Sequence, residues 1–364
     1  FSKNLFFEAG IKNSVVKNEN DIIFFVTNGG INFYDTSRSN NFIYTENINA
    51  AYFNFRKSFT KWVLQAGLRA EQTIGDGEQK ATGEKFKRNY TQFFPSFTVT
   101  HAVSKTDKLI FSYSRRIGRP AFNQLNPFRF YTDPFAYNTG NPLLNPMLTH
   151  SFEFTYNLNS KLITTISYSK TNNFIIGFFR REEGSKIQEE KQFNFENRNN
   201  YSISFTAPLK PAKWWSSNNS LVIYRNIFGG DYLGTVISNN RNTLSFNSTN
   251  TFSLPKGLTI ELSGNFRSKV AWGPNLINNF GGLSFGLSKL IIQGKGTIRF
   301  NISDIFYTQV LNLEATNQNP NVILVNAGDS RVGNIVFTYR FGKKTVAQNR
   351  TRVTGTEEER NRIN

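Results

Sequence analysis

The stretch WVLQAGLRAEQT, residues 62–73, alternates between apolar and polar side chains, most regularly from Leu64 to Glu71. Leu64 and Leu68 lie among its even positions, whereas Arg69 and Glu71 lie among its odd positions. Successive side chains of a β-strand point to opposite faces of the sheet, so this order gives a strand one apolar face and one polar face. The stretch therefore predicts a long amphipathic strand.

The same alternation recurs along most of the chain and predicts an all-β protein. Alternation alone fits both a soluble β-sandwich and a membrane barrel, because each has strands with one apolar face. Strand length favours the barrel, since many runs last about ten residues, the length that a tilted strand needs to cross a bilayer. The side chains predicted to contact lipid are Leu64, Leu68, Phe53, Phe55, Ile203, Phe205, Phe337 and Tyr339.

The connections between these strands indicate which kind of sheet they form. Short turns such as Ser104–Asp107 and Pro255–Gly257 alternate with long connections such as Gly75–Lys87, Gly118–Leu148 and Gly229–Asn240. Outer-membrane barrels have short periplasmic turns and long external loops, whereas a sandwich has no reason to place every long loop at one end. We therefore expect a transmembrane antiparallel up-and-down β-barrel with about fourteen strands in this chain, an even number as such barrels require.

Composition excludes several other classes of protein. Aromatic residues make up 15% of the chain and phenylalanine alone occurs 37 times, which suits the pleated surface of a sheet. No apolar run reaches the roughly 18 residues of a membrane-spanning helix. The chain has no cysteine and two histidines, so a disulfide framework, a thiolate metal site and a multi-histidine metal site are excluded.

The formal net charge of +18 has two interpretations. Basic residues on the wall and loops of a barrel can face the anionic headgroups and saccharides of lipid. Basic and aromatic residues together can also form a groove that binds single-stranded nucleic acid. The basic residues are spread along the chain and the aromatic residues follow the strand period, so the first interpretation is favoured and no nucleic-acid partner is expected.

The expected domain organisation is one barrel domain, residues 1–342, followed by a polar tail, residues 343–364. The tail is rich in arginine, glutamate, asparagine and threonine, so it is expected to be disordered. The order of short and long connections places the tail on the periplasmic side. The chain begins at Phe1 without a methionine or a signal segment, and residues 1–10 already resemble a strand, so we expect a cut within a longer polypeptide.

The segment Tyr113–His150 differs from the strands around it. Its prolines are Pro120, Pro127, Pro134, Pro142 and Pro146. Proline fixes the φ angle and lacks a backbone N–H donor, so this segment is not expected within a sheet. It predicts a folded external loop with aromatic packing of its own, which either braces the barrel mouth or contacts a ligand.

Within this segment, FSYSRRIGRPAFNQLNPF (residues 111–128) and GNPLLNP (residues 140–146) resemble a pattern of TonB-dependent receptor-like outer-membrane proteins, specifically the outer-membrane β-barrel family. YTENINAAYFNFRKSF (residues 44–59) and the closing YRFG (residues 339–342) are similar to that family too, and the resemblance covers nearly the whole chain. Met147 departs from the pattern, which usually has an acidic residue there. The motif residues, structural or ligand-contacting, are Arg115, Arg116, Arg119, Pro120, Leu125, Asn126, Pro127, Phe128, Gly140, Asn141, Pro142 and Pro146.

The resemblance implies the C-terminal portion of a barrel of about 22 strands in a Gram-negative outer membrane. It also implies a receptor for energised nutrient uptake, whose N-terminal plug is missing here and whose inner-membrane energy-transducing complex acts through that plug. The expected partners are the lipid bilayer, lipopolysaccharide, that complex and a surface lipoprotein. Two alternatives stay open: a structural or secretion-associated outer-membrane barrel without transport activity, and a soluble carbohydrate-binding β-sandwich.

The residues form no pattern of a catalytic, cofactor or metal site, and the chain is not expected to be an enzyme. The acidic doublets Glu182-Glu183 and Glu189-Glu190 flank a basic loop and suit a solvated loop tip better than an acid–base pair. Charged side chains on the polar faces of the strands need water or mutual pairing, so they are expected to face the lumen. These lumen charges are Arg69, Glu71, Glu153, Glu261, Arg267, Arg299 and Arg340.

Overall fold

Strands dominate the part of the chain that the structure describes. The computed structural model describes residues 4–36, 38–181, 184–232, 235–315, 321–342 and 357–362. The strands up to residue 181 are β1 (Leu5–Ile22), β2 (Phe25–Asn28), β3 (Ile31–Tyr34), β4 (Asn40–Ser58), β5 (Trp62–Gln79), β6 (Glu84–Ala102), β7 (Lys108–Gly118), β8 (Arg129–Asp133), β9 (Ala136–Thr139), β10 (Met147–Leu158) and β11 (Leu162–Arg181).

The described residues after residue 181 also form mainly strands. Its strands are β12 (Gln188–Ala212), β13 (Trp215–Tyr232), β14 (Thr235–Leu254), β15 (Leu258–Arg267), β16 (Val270–Trp272), β17 (Asn275–Ile277), β18 (Phe280–Ile291), β19 (Gly296–Ile302), β20 (Leu311–Ala315), β21 (Val322–Asn326) and β22 (Gly333–Tyr339). The helical elements are α1 (Phe122–Leu125), α2 (Glu357–Arg360) and the 3-10 turns Pro255–Gly257 and Ile292–Gly294. Within the part of the chain that the structure describes, no helix has the length and apolar character to cross a membrane.

One large sheet contains most of these strands. In the described residues its order is β1-β4-β5-β6-β7-β10-β11-β12-β13-β14-β15-β18-β19-β22, and each of these strands is antiparallel to the next. The hairpin β8-β9 joins the sheet where β9 runs parallel to β12. The predicted antiparallel up-and-down sheet of about fourteen strands is therefore confirmed. Closure of the sheet into a ring stays a prediction, because the described residues show no pairing between β1 and β22.

The two faces of this sheet differ as the alternation predicts. Directly paired residues of neighbouring strands lie on the same face. Phe53 pairs with Leu68 and Tyr52 pairs with Arg69, so β4 and β5 match apolar with apolar and polar with polar. Leu68 is 50% exposed and Phe337 is 58% exposed, an apolar exposure that soluble monomers rarely show over a continuous surface. We call this apolar surface the outer face and the opposite one, which carries Tyr52 and Arg69, the inner face.

Two of the predicted long connections are wrong, because the strands continue through them. The predicted connection Gly75–Lys87 contains the paired ends of β5 and β6 and a turn at residues 80–83. The predicted connection Gly229–Asn240 contains the paired ends of β13 and β14. Side chains at these ends are mainly polar on both faces, so the alternation stops before the backbone pairing does. Hydrogen bonds between backbones do not depend on that alternation.

A buried cluster lies on the inner face. Its members are Phe42, Tyr44, Phe122, Leu125, Leu144 and Ile175. Two of them belong to β4 and one to β11, and β5, β6, β7 and β10 separate these strands in the sheet. A cluster that touches both strands requires the sheet to curve around the segment that carries Phe122, Leu125 and Leu144. The core of the molecule therefore includes a loop enclosed by the sheet.

Candidate functional site

Residues 119–146, which we call the family loop, fold tightly upon themselves. The backbone N–H of Gly140 donates to the carbonyl oxygen of Asn126 at 2.9 Å, and that of Asn141 donates to the carbonyl oxygen of Gln124 at 2.6 Å. A Cβ atom at Gly140 would overlap both carbonyl oxygens, so only glycine fits this close approach of two backbones. The Asn126 side chain accepts a bond from the N–H of Phe128 at 3.1 Å and fixes the turn between them.

Hydrogen bonds attach the family loop to two separate strands of the sheet, β12 and β6. The Asn141 side chain donates to the carbonyl oxygen of Gln192 in β12 at 3.1 Å. On the opposite side, the Arg88 guanidinium of β6 donates to the carbonyl oxygens of Pro142 and Leu144. Hydrogen bonds from a charged donor are stronger than those between neutral groups, so Arg88 holds this part of the loop firmly. The loop thus bridges β6 and β12 across the inner face.

The structure assigns different environments to the predicted motif residues of the loop. Arg119, Pro120, Leu125, Asn126, Phe128, Gly140 and Pro146 are buried. Arg115 lies just before the loop and donates to the carbonyl oxygen of Phe93 at 2.6 Å and to the side-chain oxygen of Gln92 at 2.7 Å. Arg116 is exposed, and Pro127, Asn141 and Pro142 are half-buried. Most of the motif therefore lies inside the molecule, although its role stays a prediction.

A group of charged side chains lies beside the start of the family loop. The buried Arg119 guanidinium donates to Glu71 at 2.5 Å and to the hydroxyl of Thr73 at 3.1 Å. Arg69 also forms an ion pair with Glu71. Burial acts to lower the pKa of Arg119, but the carboxylates of Glu358 and Glu71 outweigh it and raise this pKa above its usual value. Arg119 therefore carries its charge at every physiological pH.

A six-residue piece of the predicted polar tail meets this group. Residues 357–362, which we call the C-terminal segment, include α2, and their side chains pair with Lys12, Glu46 and Arg119. The tail was predicted to be disordered, whereas the structure describes this segment as a packed helical turn. Residues 343–356 and 363–364 of that tail lie outside the described residues.

Lys12 and Glu46 are not among the predicted site residues. Glu46 and Ala50 are even positions of β4, like Tyr52, and therefore lie on the inner face. Lys12 pairs with Ala50 and lies on the same face. The alternation of β4 would have placed Glu46 on the polar face with Tyr52, because both positions are even. No sequence signal indicates the partner of Glu46, which is far away in the chain.

The remaining predicted lumen charges do not join this group. Within the described residues, no ion pair links Arg69, Arg119 or Glu71 to Glu153, Glu261, Arg267, Arg299 or Arg340. Glu153 is paired in register with Ser112 and Ser167. Arg267 lies 5.9 Å from the ring centre of Phe280.

Two further lumen charges lie near the C-terminal edge of the sheet. Arg299 faces Ser288 and Val336 in the neighbouring strands. The backbone N–H of Arg340 donates to the carbonyl oxygen of Lys295 at 2.8 Å. Their direction into a lumen stays a prediction.

A cavity of about 520 Å³ opens between the family loop, β1 and β12. Its lining is dominated by side-chain amides and includes one aromatic ring: Asn20, Asn123, Gln124, Phe130, Asn138, Thr139, Gly140, Glu190 and Gln192. Amides both donate and accept hydrogen bonds, so this lining suits a ligand with many neutral polar groups. In the described residues, no group of three or more histidines and carboxylates is arranged to hold a metal ion.

Comparison with known proteins gives a family and a set of similar folds. The chain matches the model of the outer membrane protein beta-barrel family over residues 1–339. No curated protein sequence matches the chain significantly. Solved structures that resemble it are TonB-dependent receptors, and the likeness covers mainly their barrels.

Three of these structures illustrate the likeness. The ferric yersiniabactin uptake receptor FyuA from Yersinia pestis has a TM-score of 0.63 at 13% identity, with 94% of this chain and 52% of that one covered. The ferric-catecholate import receptor Fiu from Escherichia coli K12 has a TM-score of 0.64 at 8% identity, with 94% and 53% covered. The siderophore receptor PiuA from Acinetobacter baumannii has a TM-score of 0.63 at 11% identity, with 93% and 54% covered. The chain thus spans about half the length of each.

Proposed function

This chain belongs to the outer membrane protein beta-barrel family, and on that basis we propose that it is the receptor-like barrel portion of a nutrient-uptake protein. Its place is the outer membrane, where the apolar outer face meets lipid. The soluble β-sandwich alternative is therefore wrong. Because the similar structures are receptors and transporters, we also propose that the chain binds and passes its ligand without converting it.

The amide-lined cavity between the family loop, β1 and β12 is the observation that supports uptake. Its volume of about 520 Å³ lies in the range of sites that enclose small ligands. Asn123, Gln124, Asn138 and Gln192 offer donors and acceptors without a net charge, and Glu190 is the one carboxyl group in the described lining. This chemistry favours a glycan or a peptide, whose hydroxyl and amide groups would replace water in the cavity.

The proposed partners follow from the same premise. The outer face and the basic residues suit the bilayer and lipopolysaccharide, whose phosphates are anionic. Energised uptake would require an inner-membrane complex of the TonB type acting through a plug encoded upstream of this chain. A surface lipoprotein that hands over the ligand is a further proposed partner.

A growth experiment tests uptake in the organism that carries the full gene. A deletion strain is grown on a panel of glycans, peptides and ferric chelates, each as the limiting nutrient. We expect a growth defect on at least one nutrient, which the wild-type gene restores and the cavity-filling variant Asn138→Phe does not. Leu143→Phe is the matched control, because Leu143 belongs to the same loop, is 79% exposed and does not line the cavity.

The rival function is a structural or secretion-associated barrel. A deletion strain that grows like its parent on every nutrient but loses proteins from its surface would contradict uptake and support this rival. Full rescue by Asn138→Phe would contradict the role of the cavity.

A further inference from the structure

We propose that the inner face carries a binding site for a short charged peptide, and that the occupant of this site is the chain's own C-terminal segment. Lys12, Glu46 and Arg119 form the site, and Glu358, Glu359 and Arg362 are the groups that it recognises. This inference concerns a contact within the chain and does not depend on the uptake function.

Charge complementarity is the first argument for the site. The Glu359 carboxylate accepts a bond from the Lys12 ammonium at 2.8 Å, and the Glu358 carboxylate accepts one from Arg119 at 2.5 Å. Arg362 forms an ion pair with Glu46. Each of the three charged side chains of the site thus meets an opposite charge of the segment.

Arg362 occupies the most elaborate part of the site. Its guanidinium donates to both carboxylate oxygens of Glu46 and, through Nε, to the carbonyl oxygen of Pro120 at 3.0 Å. The same guanidinium lies 4.5 Å from the ring centre of Phe122, a distance at which a cation is attracted to an aromatic ring. The carbonyl oxygen of Arg362 accepts a bond from the N–H of Phe122 at 3.1 Å. Side chain and backbone of Arg362 are therefore both recognised.

Burial distinguishes these contacts from ordinary surface ion pairs. The side chains of Glu46, Glu359 and Arg362 are all less than a tenth exposed. Exposed ion pairs contribute little to the stability of a fold. Removing one partner of a buried pair is strongly destabilising, because it leaves the other charge buried without a counter-charge. The Glu46 carboxylate also accepts a hydrogen bond from the Tyr44 hydroxyl at 3.0 Å, so the wall holds this carboxylate in place for a cation. The site therefore needs a cationic occupant at Glu46.

The C-terminal segment lies in front of the inner face, where it can obstruct a solute. It touches β1 through Lys12, β4 through Glu46 and the start of the family loop through Arg119. A solute that moves along this part of the inner face meets the C-terminal segment. The segment thus narrows the space in front of this part of the inner face.

Crosslinking in the intact protein tests the proposal. The chain has no cysteine, so introduced cysteines are unique within it. Ser14 is buried on the inner face two residues after Lys12, whose ammonium donates to Glu359 at 2.8 Å. Ser14→Cys and Glu359→Cys therefore place two thiols on neighbouring parts of the wall and the segment. The full-length protein in outer membranes is treated with a short bismaleimide, and the crosslinked peptide is measured by mass spectrometry. The matched control replaces Ser14→Cys by Val15→Cys, since Val15 is the next residue, lies on the outer face and is 63% exposed.

We expect the Ser14 pair to crosslink within the monomer and the Val15 pair to give a yield at least about tenfold lower, because the sheet separates its two thiols. Equal yields for the two pairs, or no crosslink for the Ser14 pair, would overturn the proposal. A crosslink found only in dimers would also overturn it and identify a second copy as the source of the segment.

A charge swap tests recognition by Glu46. In the Ser14→Cys/Glu359→Cys background, Arg362→Glu places two carboxylates together and is expected to lower the crosslink yield about tenfold. Adding Glu46→Arg restores opposite charges and is expected to restore the yield. A yield that does not respond to Arg362→Glu, or that the second change fails to restore, would contradict specific recognition.

Discussion

The family loop and the C-terminal segment both contact the inner face, but different interactions hold them there. The loop packs Leu125 and Leu144 into an apolar cluster and bonds to strands through backbone carbonyls. It also has a buried ion pair, between its first residue Arg119 and Glu71. The segment relies on ion pairs of Glu358, Glu359 and Arg362. Apolar burial is insensitive to pH, whereas an ion pair is lost when one partner is neutralised. The loop is thus a permanent part of the fold, and the segment is a contact that solution conditions can release.

Removing apolar packing from the loop should have the largest effect on stability. Leu125 is fully buried, so Leu125→Ala leaves a cavity and is expected to lower the free energy of unfolding by about 2–5 kcal/mol. Leu143→Ala in the same loop is the control and should change it by less than about 0.5 kcal/mol, because Leu143 is exposed. Urea unfolding in detergent micelles measures both. Similar losses for the two variants would show that the apolar cluster does not hold the loop.

A second change tests the tight fold of the loop without removing apolar area. Gly140→Ala forces a Cβ atom against the carbonyl oxygens of Gln124 and Asn126 and should cost about 1–3 kcal/mol. Gly229→Ala is the matched control, since no atom lies within 4 Å of the added carbon. The same unfolding titration compares them. A neutral Gly140→Ala would mean that the loop relaxes easily, which contradicts its description as a rigid part of the fold.

Acid should release the segment and leave the loop in place. Burial acts to raise the pKa of Glu359, but bonds from Lys12 and Ser14 outweigh it and lower this pKa below its ordinary value. The contact is then complete above the ordinary glutamate pKa of about 4.3 and is lost as the pH falls through the lowered value. A spin label at Arg360→Cys should become mobile as the pH falls through the lowered pKa of Glu359, which its electron paramagnetic resonance spectrum reports.

The control for the acid experiment is a spin label at Leu143→Cys on the family loop. Its spectrum should stay constant over the same pH range, because apolar packing does not titrate. Equal responses of the two labels would remove the distinction between loop and segment.

Asp304 offers the smallest expected effect, because among the described residues hydrogen bonds without an ion pair hold this buried carboxylate. Burial acts to raise its pKa, but bonds from Ser330, Gln309 and Thr308 outweigh it and lower the pKa to about 2. The turn at Asp304 should therefore keep its protection as the pH falls to about 4 and lose it toward about 2. Hydrogen exchange at Thr308 and Gln309, normalised to the unfolded chain at each pH, measures this. Loss of protection already near neutral pH would contradict the lowered pKa.

Particular residues show how far the sequence predicts the fold and the site. The alternation from Trp62 to Thr73 predicts both β5 and its faces, because the direction of a side chain in a strand depends only on its position along that strand. The same signal fails at Gly75–Lys87, where polar side chains occur on both faces while the strands stay paired. Arg119 and Glu71 were both singled out, one in a loop motif and one on a strand, but nothing in the sequence indicated that they meet.

The amphipathic middle of the strands, their apolar and polar faces and their up-and-down order can be predicted from the order of the amino acids, since these depend on neighbours in the chain and on short turns. The contacts between distant residues are visible only in the folded protein: Arg362 with Glu46, Arg119 with Glu71, and the family loop with β12. Such contacts depend on how the sheet curves. That curvature is set by the pairing of all its strands together and not by any one stretch of residues.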